Sequence, residues 1–123
     1  MKKALIVDDD DMIRTAVGDL LKRVNFKMDY AEDGWEGVRK IKSTTYDLIV
    51  LDIKMPSVDG EQVLNILKKQ YTTLPVVILS GFLTKSKLVS FQKLDVKGFV
   101  TKPIDIKKFY QAVNIVCPIE LTS

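Results

Sequence analysis

The sequence contains no histidine and a single cysteine, Cys117. Without histidine the chain has no Ser-His-Asp triad, no Cys-His pair and no histidine metal ligand, and it cannot itself carry a phosphohistidine. Any acid–base or metal chemistry must therefore depend on Asp, Glu and Lys. One cysteine excludes an intrachain disulfide, and a chain without disulfides is typical of a cytoplasmic protein.

Long apolar runs are also missing from the sequence. No apolar stretch approaches the roughly 18 residues of a membrane span, and Asp8 interrupts the opening MKKALIV, so we expect neither a membrane segment nor a signal peptide. The net charge is only +3 and the lysines are scattered, which predicts a solvated surface and no direct nucleic-acid binding. The 123 residues, 46% hydrophobic and 28% charged, are expected to form one domain, residues 1–123.

What the sequence does contain is a regular alternation of apolar runs and amphipathic segments. The predicted strands cover residues 4–7, 27–31, 48–51, 76–79 and 98–100. After each run, apolar residues recur at helical spacing. In the second helix Trp35, Val38 and Ile41 share one face, and we expect Trp35, like Cys117, to pack in the interior. Five such units predict an α/β fold with a parallel sheet covered by helices on both faces.

Polar side chains follow the apolar strands. The first strand runs into four consecutive aspartates, Asp8 to Asp11, and the third strand ends at Asp52. In a flavodoxin-like strand order 2-1-3-4-5, the first and third strands are neighbours at the switch point where ligands bind. Carboxylates about 4 Å apart repel by roughly 4 kcal/mol at an effective dielectric of about 20. An all-oxygen cluster tolerates that repulsion if it binds a hard cation such as Mg²⁺, while Asp10 or Asp11 more simply caps the first helix.

Four motifs resemble those of one protein family. They are VDDD at 7–10, LDIKMPSVDG at 51–60, LSG at 79–81 and FVTKP at 99–103. Together, in this order and at this spacing, they resemble the receiver domain of two-component response regulators, and the single-domain chemotaxis-type receivers in particular. The resemblance covers essentially the whole chain. It implies a doubly wound (βα)5 fold of strand order 2-1-3-4-5 that accepts a phosphoryl group from a sensor histidine kinase.

The resemblance also implies a role for individual acidic residues. Asp52 matches the phosphoacceptor. Asp9 and Asp52 match direct ligands of Mg²⁺, with Mn²⁺ as the alternative ion. Asp8 would act on the ion through water, and the backbone carbonyl of Lys54 would complete the protein ligands. Lys54 and Phe82 match the two positions that control access of the hydrolytic water, and the bulk of Phe82 predicts slow loss of the phosphoryl group.

Three further residues match the parts of the family that respond to phosphorylation. Lys102 matches the lysine that pairs with phosphoryl oxygens, and Ser80 matches the hydroxyl that hydrogen-bonds them. Phe99 matches the aromatic switch position, where phenylalanine rather than tyrosine implies switching by ring packing. The bond Lys102–Pro103 matches a cis peptide of the family, although X–Pro bonds are cis in only about 5–6% of cases.

The implied partners follow from the same resemblance. They are a sensor histidine kinase or phosphotransfer protein, and either a downstream target or an effector domain separated from this chain. The face formed by the fourth helix, fifth strand and fifth helix is the implied output surface, which can also support a phosphorylation-dependent dimer. Such a domain assists its own phosphorylation and dephosphorylation and is not a turnover enzyme.

Three other functions share part of the pattern. A haloacid-dehalogenase-like phosphatase also uses an aspartate nucleophile and Mg²⁺, but it requires a second aspartate where this chain has Lys54. A flavin carrier of the flavodoxin type needs a phosphate-binding loop after the first strand, where the aspartates from Asp8 onward would repel phosphate. A receiver-like interaction module that is never phosphorylated would have no need of the complete set of acidic and basic residues.

Overall fold

Strands and helices alternate along the part of the chain that the structure describes. The structure is a computed structural model, and it describes residues 1–53, 60–71, 73–81 and 84–119. The predictions for Lys54 and Phe82 fall outside these residues. The strands are β1 (Lys2–Val7), β2 (Phe26–Ala31), β3 (Leu48–Asp52), β4 (Val76–Ser80) and β5 (Gly98–Thr101). The helices are α1 (Asp11–Lys22), α2 (Gly34–Ser43), α3 (Gly60–Gln70), α4 (Lys85–Lys93) and α5 (Ile106–Val116).

The five strands form one parallel sheet in the order β2-β1-β3-β4-β5, which confirms the predicted flavodoxin-like α/β fold. The register aligns the strand ends: Val7 of β1 lies opposite Leu51 of β3, and Ser80 of β4 lies opposite Thr101 of β5. The residues that end or follow these strands therefore meet at the carboxyl-terminal edge of the sheet. This edge includes the reversal of strand order between β1 and β3, where open parallel sheets bind ligands.

Alternate strand residues face opposite sides of the sheet, as the two-residue period of a strand requires. On one side the core contains Leu5, Val7, Ile49, Leu51 and Ile78, covered by α2, α3 and Phe91 of α4. On the other side it contains Ala4, Ile6, Val50, Val77 and Leu79, covered by α1 and α5. The continuous apolar runs of β1, β3 and β4 are thus buried on both faces, which explains why these three strands lack polar alternation. None of the helices in the described ranges has the length and apolar composition of a membrane span.

Asp10 caps the N-terminus of helix α1, which is one of the two alternatives that the sequence left open. Its side chain accepts hydrogen bonds from the backbone N–H groups of Met12, at 2.8 Å, and Ile13, at 3.4 Å. These groups have no partner within the helix, and capping them with aspartate is worth roughly 1 kcal/mol. One of the four consecutive aspartates therefore serves helix initiation rather than the acidic cluster.

Trp35 does not pack in the interior, and this expectation from the sequence was wrong. Its side chain is 51% exposed, whereas Cys117 is buried as predicted. The buried residues of α2 are Gly34, Gly37, Val38 and Ile41. Each residue advances about 100° around a helix of 3.6 residues per turn, so Trp35 lies about 100° from the centre of this stripe. The helix approaches the sheet through Gly37, where a Cβ atom would lie 3.0 Å from Val7, and this close approach leaves Trp35 outside.

A polar cluster connects β2 to the loop before β3 at the edge of the sheet. The Tyr46 hydroxyl donates a hydrogen bond to Asp29 Oδ2 at 2.7 Å. The ammonium of Lys3 lies 3.4 Å from the same carboxylate and 5.7 Å from the centre of the Tyr46 ring. The hydrogen bond from Tyr46 lowers the pKa of Asp29. Burial, together with the Asp29 carboxylate, raises the pKa of Tyr46 to about 12.

We expect Tyr46→Phe to lower the free energy of unfolding at neutral pH by about 1.5 kcal/mol, the lower end for a hydrogen bond to a charged group, since the Asp29 side chain is 38% exposed. The folded-state pKa of Asp29 lies below its ordinary value of 3.8. The stabilisation is therefore present above pH 3.8 and is lost as the pH falls through the folded-state pKa. Urea titrations at neutral and acid pH should show the difference between the two proteins shrink in acid. A difference independent of pH would contradict the assignment.

Candidate functional site

Asp8 is completely buried at the end of β1, and most of its polar groups have defined partners. Its backbone N–H donates to Ala31 O at 3.1 Å. Its Oδ1 atom accepts from the Asp10 N–H at 3.0 Å. Its carbonyl oxygen accepts from Arg14 Nη1 at 2.6 Å. Among the residues that the structure describes, no group donates a hydrogen bond to Asp8 Oδ2.

Asp52, the last residue of β3, lies beside the lysine that directly follows β5, two strands away in the sheet. It is 2% exposed, and Lys102 Nζ donates to its Oδ2 atom at 2.9 Å. The same ammonium lies 3.6 Å from Asp8 Oδ2. Burial acts to lower the pKa of Lys102, but the hydrogen bond to Asp52 and the negative charges of Asp52 and Asp8 outweigh it, so the pKa is raised. Lys102 therefore stays protonated and pairs with two buried carboxylates.

Three carboxylates meet at this edge of the sheet. One oxygen each of Asp8, Asp9 and Asp52 lies within 4.8 Å of the others, with Asp8 and Asp52 buried and Asp9 exposed. Burial, and then the charges of Asp52 and Asp9, raise the pKa of Asp8 to about 6, against the opposing effects of the Asp10 N–H and Lys102. An all-oxygen donor set with one buried carboxylate oxygen that accepts no hydrogen bond from the described residues fits a small hard cation such as Mg²⁺.

The ends of β4 and β5 supply the other side of the site. Ser80, the last residue of β4, is completely buried, and its carbonyl oxygen accepts from the Lys102 N–H at 2.7 Å. The peptide bond Lys102–Pro103 is cis, as the family resemblance implied and as the sequence alone would not indicate. The backbone hydrogen bond holds the segment that carries Lys102 against the end of β4, so the lysine side chain reaches across to Asp52 at β3.

Gly60 at the start of α3 explains how the chain passes close beside the site. A Cβ atom at this position would lie 2.1 Å from the Cα atom of Ile53, the residue directly after Asp52. No side chain fits at that distance, so glycine is required for this close approach. We infer that substitution of Gly60 would displace the backbone next to Asp52.

Phe99 on β5 connects this edge of the sheet to α4. Its side chain is half-buried, and its ring stacks on that of Phe91 with centroids 5.8 Å apart and an angle of 28° between the planes. Phe91 is itself 1% exposed and belongs to the core beneath α4. The stacked pair therefore provides a direct contact between β5 and α4.

The structure brings together most of the side chains that the sequence placed in one site. Asp8, Asp9 and Asp52 have carboxylate oxygens within 4.8 Å of one another, and Lys102 pairs with Asp8 and Asp52, while Lys54 lies outside the described residues. The sequence reasoning missed Arg14, whose guanidinium contacts Asp8. A signal was available, because an arginine within the apolar stripe of a helix needs a buried partner.

The comparison with known proteins assigns the chain to a family. The response regulator receiver domain matches residues 4–114, and the chain belongs to that family. It is therefore a receiver domain of two-component signalling. Its solved neighbours include the chemotaxis protein CheY4 of Vibrio cholerae, with a TM-score of 0.87 and 25% identity over 94% of this chain and 98% of that one.

Two further proteins extend the comparison. The transcriptional regulatory protein GlrR of Escherichia coli is 32% identical over 110 residues, which are 89% of this chain and 25% of GlrR. The response regulator TrrA of Thermotoga maritima, solved in complex with Mg²⁺-BeF, is 29% identical with a TM-score of 0.84 over 94% of this chain and 99% of that one. The chain spans between 16% and 51% of the length of the first curated relatives that it matches.

Proposed function

We propose that residues 1–123 form one receiver domain that accepts a phosphoryl group on Asp52 from a phosphohistidine of a sensor histidine kinase or phosphotransfer protein. The observation that carries the proposal is the pairing of buried Asp52 with Lys102 at 2.9 Å beside the carboxylates of Asp8 and Asp9. A nucleophilic carboxylate, a fixed cation and a cation-binding cluster are the groups that phosphoryl transfer needs.

In the proposed step a carboxylate oxygen of Asp52 forms a bond to phosphorus while the P–N bond of the phosphohistidine breaks. The electron pair of that bond goes to the nitrogen of the departing imidazole, and Asp52 becomes an acyl phosphate. Charge spreads over the phosphoryl oxygens in the transition state. Lys102 moves its ammonium from the Asp52 carboxylate to a phosphoryl oxygen, and the Ser80 hydroxyl donates a hydrogen bond to another.

Asp8, Asp9 and Asp52, with the backbone carbonyl of Lys54 implied by the family resemblance, would hold Mg²⁺, or Mn²⁺ as the alternative. When bound, the ion supplies positive charge that lets an anionic phosphoryl group approach an anionic carboxylate. The pKa of Asp8 is raised to about 6, first by burial and then by the charges of Asp52 and Asp9, and a bound cation would oppose this rise. The similar receiver TrrA was solved in complex with Mg²⁺-BeF, which supports the same ion here.

The proposed output depends on Phe99 and the surface of α4, β5 and α5. A hydrogen bond from Ser80 to the phosphoryl group would move the end of β4 and bias Phe99 inward, as a shift between two existing arrangements. The partner would be a downstream target or an effector domain, and phosphorylated copies would dimerise through this surface. The site of action would be the cytoplasm, where sensor kinases present their phosphohistidine.

A phosphorylation assay tests the proposal and separates it from its alternatives. With Mg²⁺ and acetyl phosphate, mass mapping should find one phosphoryl group per chain, on Asp52. Sustained hydrolysis of generic phosphate esters would instead indicate a phosphatase. Complete failure to incorporate phosphate from a small donor or from kinases would indicate an interaction module. A phosphoryl group on any other residue would remove Asp52 from the mechanism.

We expect Phe99→Ala to separate phosphorylation from output. Because Phe99 stacks on Phe91, its loss should break this contact between β5 and α4. It should cost about 2 kcal/mol of stability, less than the 3–5 kcal/mol of a fully buried phenylalanine. Asp52 should still be phosphorylated, but the phosphorylation-dependent NMR shifts across α4 should largely disappear.

The matched control for this variant is Tyr30→Ala, which removes a partly exposed aromatic ring from β2 at the opposite edge of the sheet. This control should keep the full set of phosphorylation-dependent shifts in α4. Shifts of wild-type size in Phe99→Ala would exclude the stacked pair as the connection.

A further inference from the structure

Arg14 is a charged residue in the buried stripe of α1. Its neighbours in that stripe, Val17, Gly18 and Leu21, lie three, four and seven residues further along the helix and are buried with it. The arginine is only 9% exposed. A buried guanidinium needs partners that satisfy its donors, so the position of this side chain calls for a specific contact.

Arg14 makes that contact with a backbone carbonyl group of the acidic cluster. Arg14 Nη1 donates to the carbonyl oxygen of Asp8 at 2.6 Å, in a fully buried hydrogen bond. Nη2 pairs with the exposed carboxylate of Asp11. Side chains on a helix tilt toward its N-terminus, so Arg14 can reach back over the first turn to Asp8, the residue directly after β1.

The hydrogen bond fixes the orientation of a peptide group between two of the clustered carboxylates. Because the peptide group is planar, fixing the carbonyl oxygen of Asp8 also fixes the N–H and Cα atom of Asp9. The N–H of Asp8 and its Oδ1 atom are already bound, to Ala31 and to the Asp10 N–H. The remaining carboxylate oxygen of Asp8 is left to face Lys102 and the cluster.

We propose that Arg14 is a positioning residue for the metal site, holding the Asp8–Asp9 peptide so that both carboxylates converge with Asp52. This proposal rests on the proposed function, since it assumes that the three carboxylates bind Mg²⁺. Groups that orient metal ligands without contacting the metal typically change metal affinity 10–100-fold when they are removed. For a contact through the backbone we expect a change at the lower end of that range.

The sign of the effect separates positioning from simple electrostatics. Removing a positive charge near an acidic cluster should strengthen binding of a divalent cation if charge alone matters. If Arg14 acts through the orientation of the Asp8–Asp9 peptide, removing it should weaken binding. The two roles therefore predict opposite changes for the same substitution.

Mg²⁺ affinity should be measured by calorimetric titration of wild type, Arg14→Met and Arg14→Lys. We expect Arg14→Met to bind Mg²⁺ about tenfold more weakly. Arg14→Lys, which keeps the charge and one donor, should recover part of the loss. At saturating Mg²⁺ the phosphorylation rate of both variants should approach that of wild type, because the nucleophile Asp52 and Lys102 are unchanged.

Two control variants account for charge and for stability. Arg39→Met makes the same substitution at an exposed arginine of α2. Tyr110→Phe removes another side-chain hydrogen bond to a backbone carbonyl at the other end of α1, where the hydroxyl donates to Leu20 O at 2.6 Å. Both should keep wild-type Mg²⁺ affinity even where the melting temperature falls.

Each outcome of this comparison decides between the two roles. Unchanged or tighter binding in Arg14→Met would overturn the proposal, as would an equal loss in Tyr110→Phe. If Arg14→Met does not fold, Arg14→Lys decides, and wild-type affinity in that variant would count against the proposal. If wild type itself binds no Mg²⁺, the proposed function fails rather than the role of Arg14 within it.

Discussion

An Asp52→Asn variant is expected to incorporate no phosphoryl group, although it should fold normally. Asparagine has nearly the same shape as aspartate, so the packing of this 2% exposed residue at the end of β3 should survive. The amide, however, has no nucleophilic carboxylate oxygen and offers Lys102 no negative partner. Incorporation from acetyl phosphate or from a phosphorylated kinase should fall to about one thousandth of wild type or less, in line with the removal of an essential nucleophile.

The matched control is Asp95→Asn, the same chemical change at an exposed position after α4. Asparagine tolerates the positive φ of 60° found at this residue, so Asp95→Asn should keep both fold and phosphorylation. Labelling should be followed by intact mass and by peptide mapping after a short reaction. Labelling of Asp52→Asn at the wild-type rate would show that the nucleophile is another residue.

The sequence was sufficient to predict the convergence of the site because strand topology determines it. Once Asp8, Asp52, Ser80 and Lys102 are recognised as residues at the ends of parallel strands, the strand order places them at one edge of the sheet. The burial of the strands on both faces follows from their continuous apolar runs. The burial of the strands and the meeting of the site residues could be predicted because they depend only on the two-residue period of a strand and on the order of the strands.

Prediction failed where the outcome depends on how closely elements pack. Trp35 was expected in the core because its spacing with Val38 is helical, but the closest approach of α2 is through Gly37, and this leaves the tryptophan exposed. The contact of Arg14 with Asp8 depends on a side chain reaching back six residues. The place of Arg14 in the apolar stripe signals a buried partner, but no periodic pattern identifies that partner as Asp8.

The second large effect concerns the balance of charge in the metal-free protein. Three carboxylates lie within 4.8 Å of one another, and Lys102 is the ammonium that pairs with two of them. Without a bound cation, negative charge exceeds positive charge in a site whose members Asp8 and Asp52 are buried. Such a functional site lowers the stability of the fold, and each charge removed should change that stability in a predictable direction.

In EDTA we expect Asp9→Asn to melt above wild type, because one repelling charge is gone. We expect Lys102→Met to melt well below wild type, because it leaves two buried carboxylates without their cation. The loss should be about 3 kcal/mol, the lower end for breaking a buried ion pair, since the lysine side chain is 26% exposed. Lys93→Met, at an exposed lysine of α4, is the control and should change little.

Addition of Mg²⁺ should raise the melting temperature of each of these proteins by a different amount. At about ten times its dissociation constant, one ion that binds only the folded state adds about 1.4 kcal/mol of stability. For a domain of this size the melting temperature of wild type should rise by roughly 4–8 °C. Asp9→Asn should lose most of this gain, because a direct ligand is missing. Asp11→Asn, at a carboxylate that is 88% exposed, should keep the gain in full.

Lys102→Met should gain more from Mg²⁺ than wild type does, since the ion then supplies the positive charge that the lysine supplied and no longer competes with it for Asp52. Melts with Mg²⁺ and with EDTA, at a pH above the Asp8 pKa of about 6, test the whole series. A wild type that is indifferent to millimolar Mg²⁺, or an Asp9→Asn variant that gains as much as wild type, would show that this cluster does not bind the metal. A smaller gain in Lys102→Met than in wild type would show that the lysine assists binding of the ion instead of competing with it.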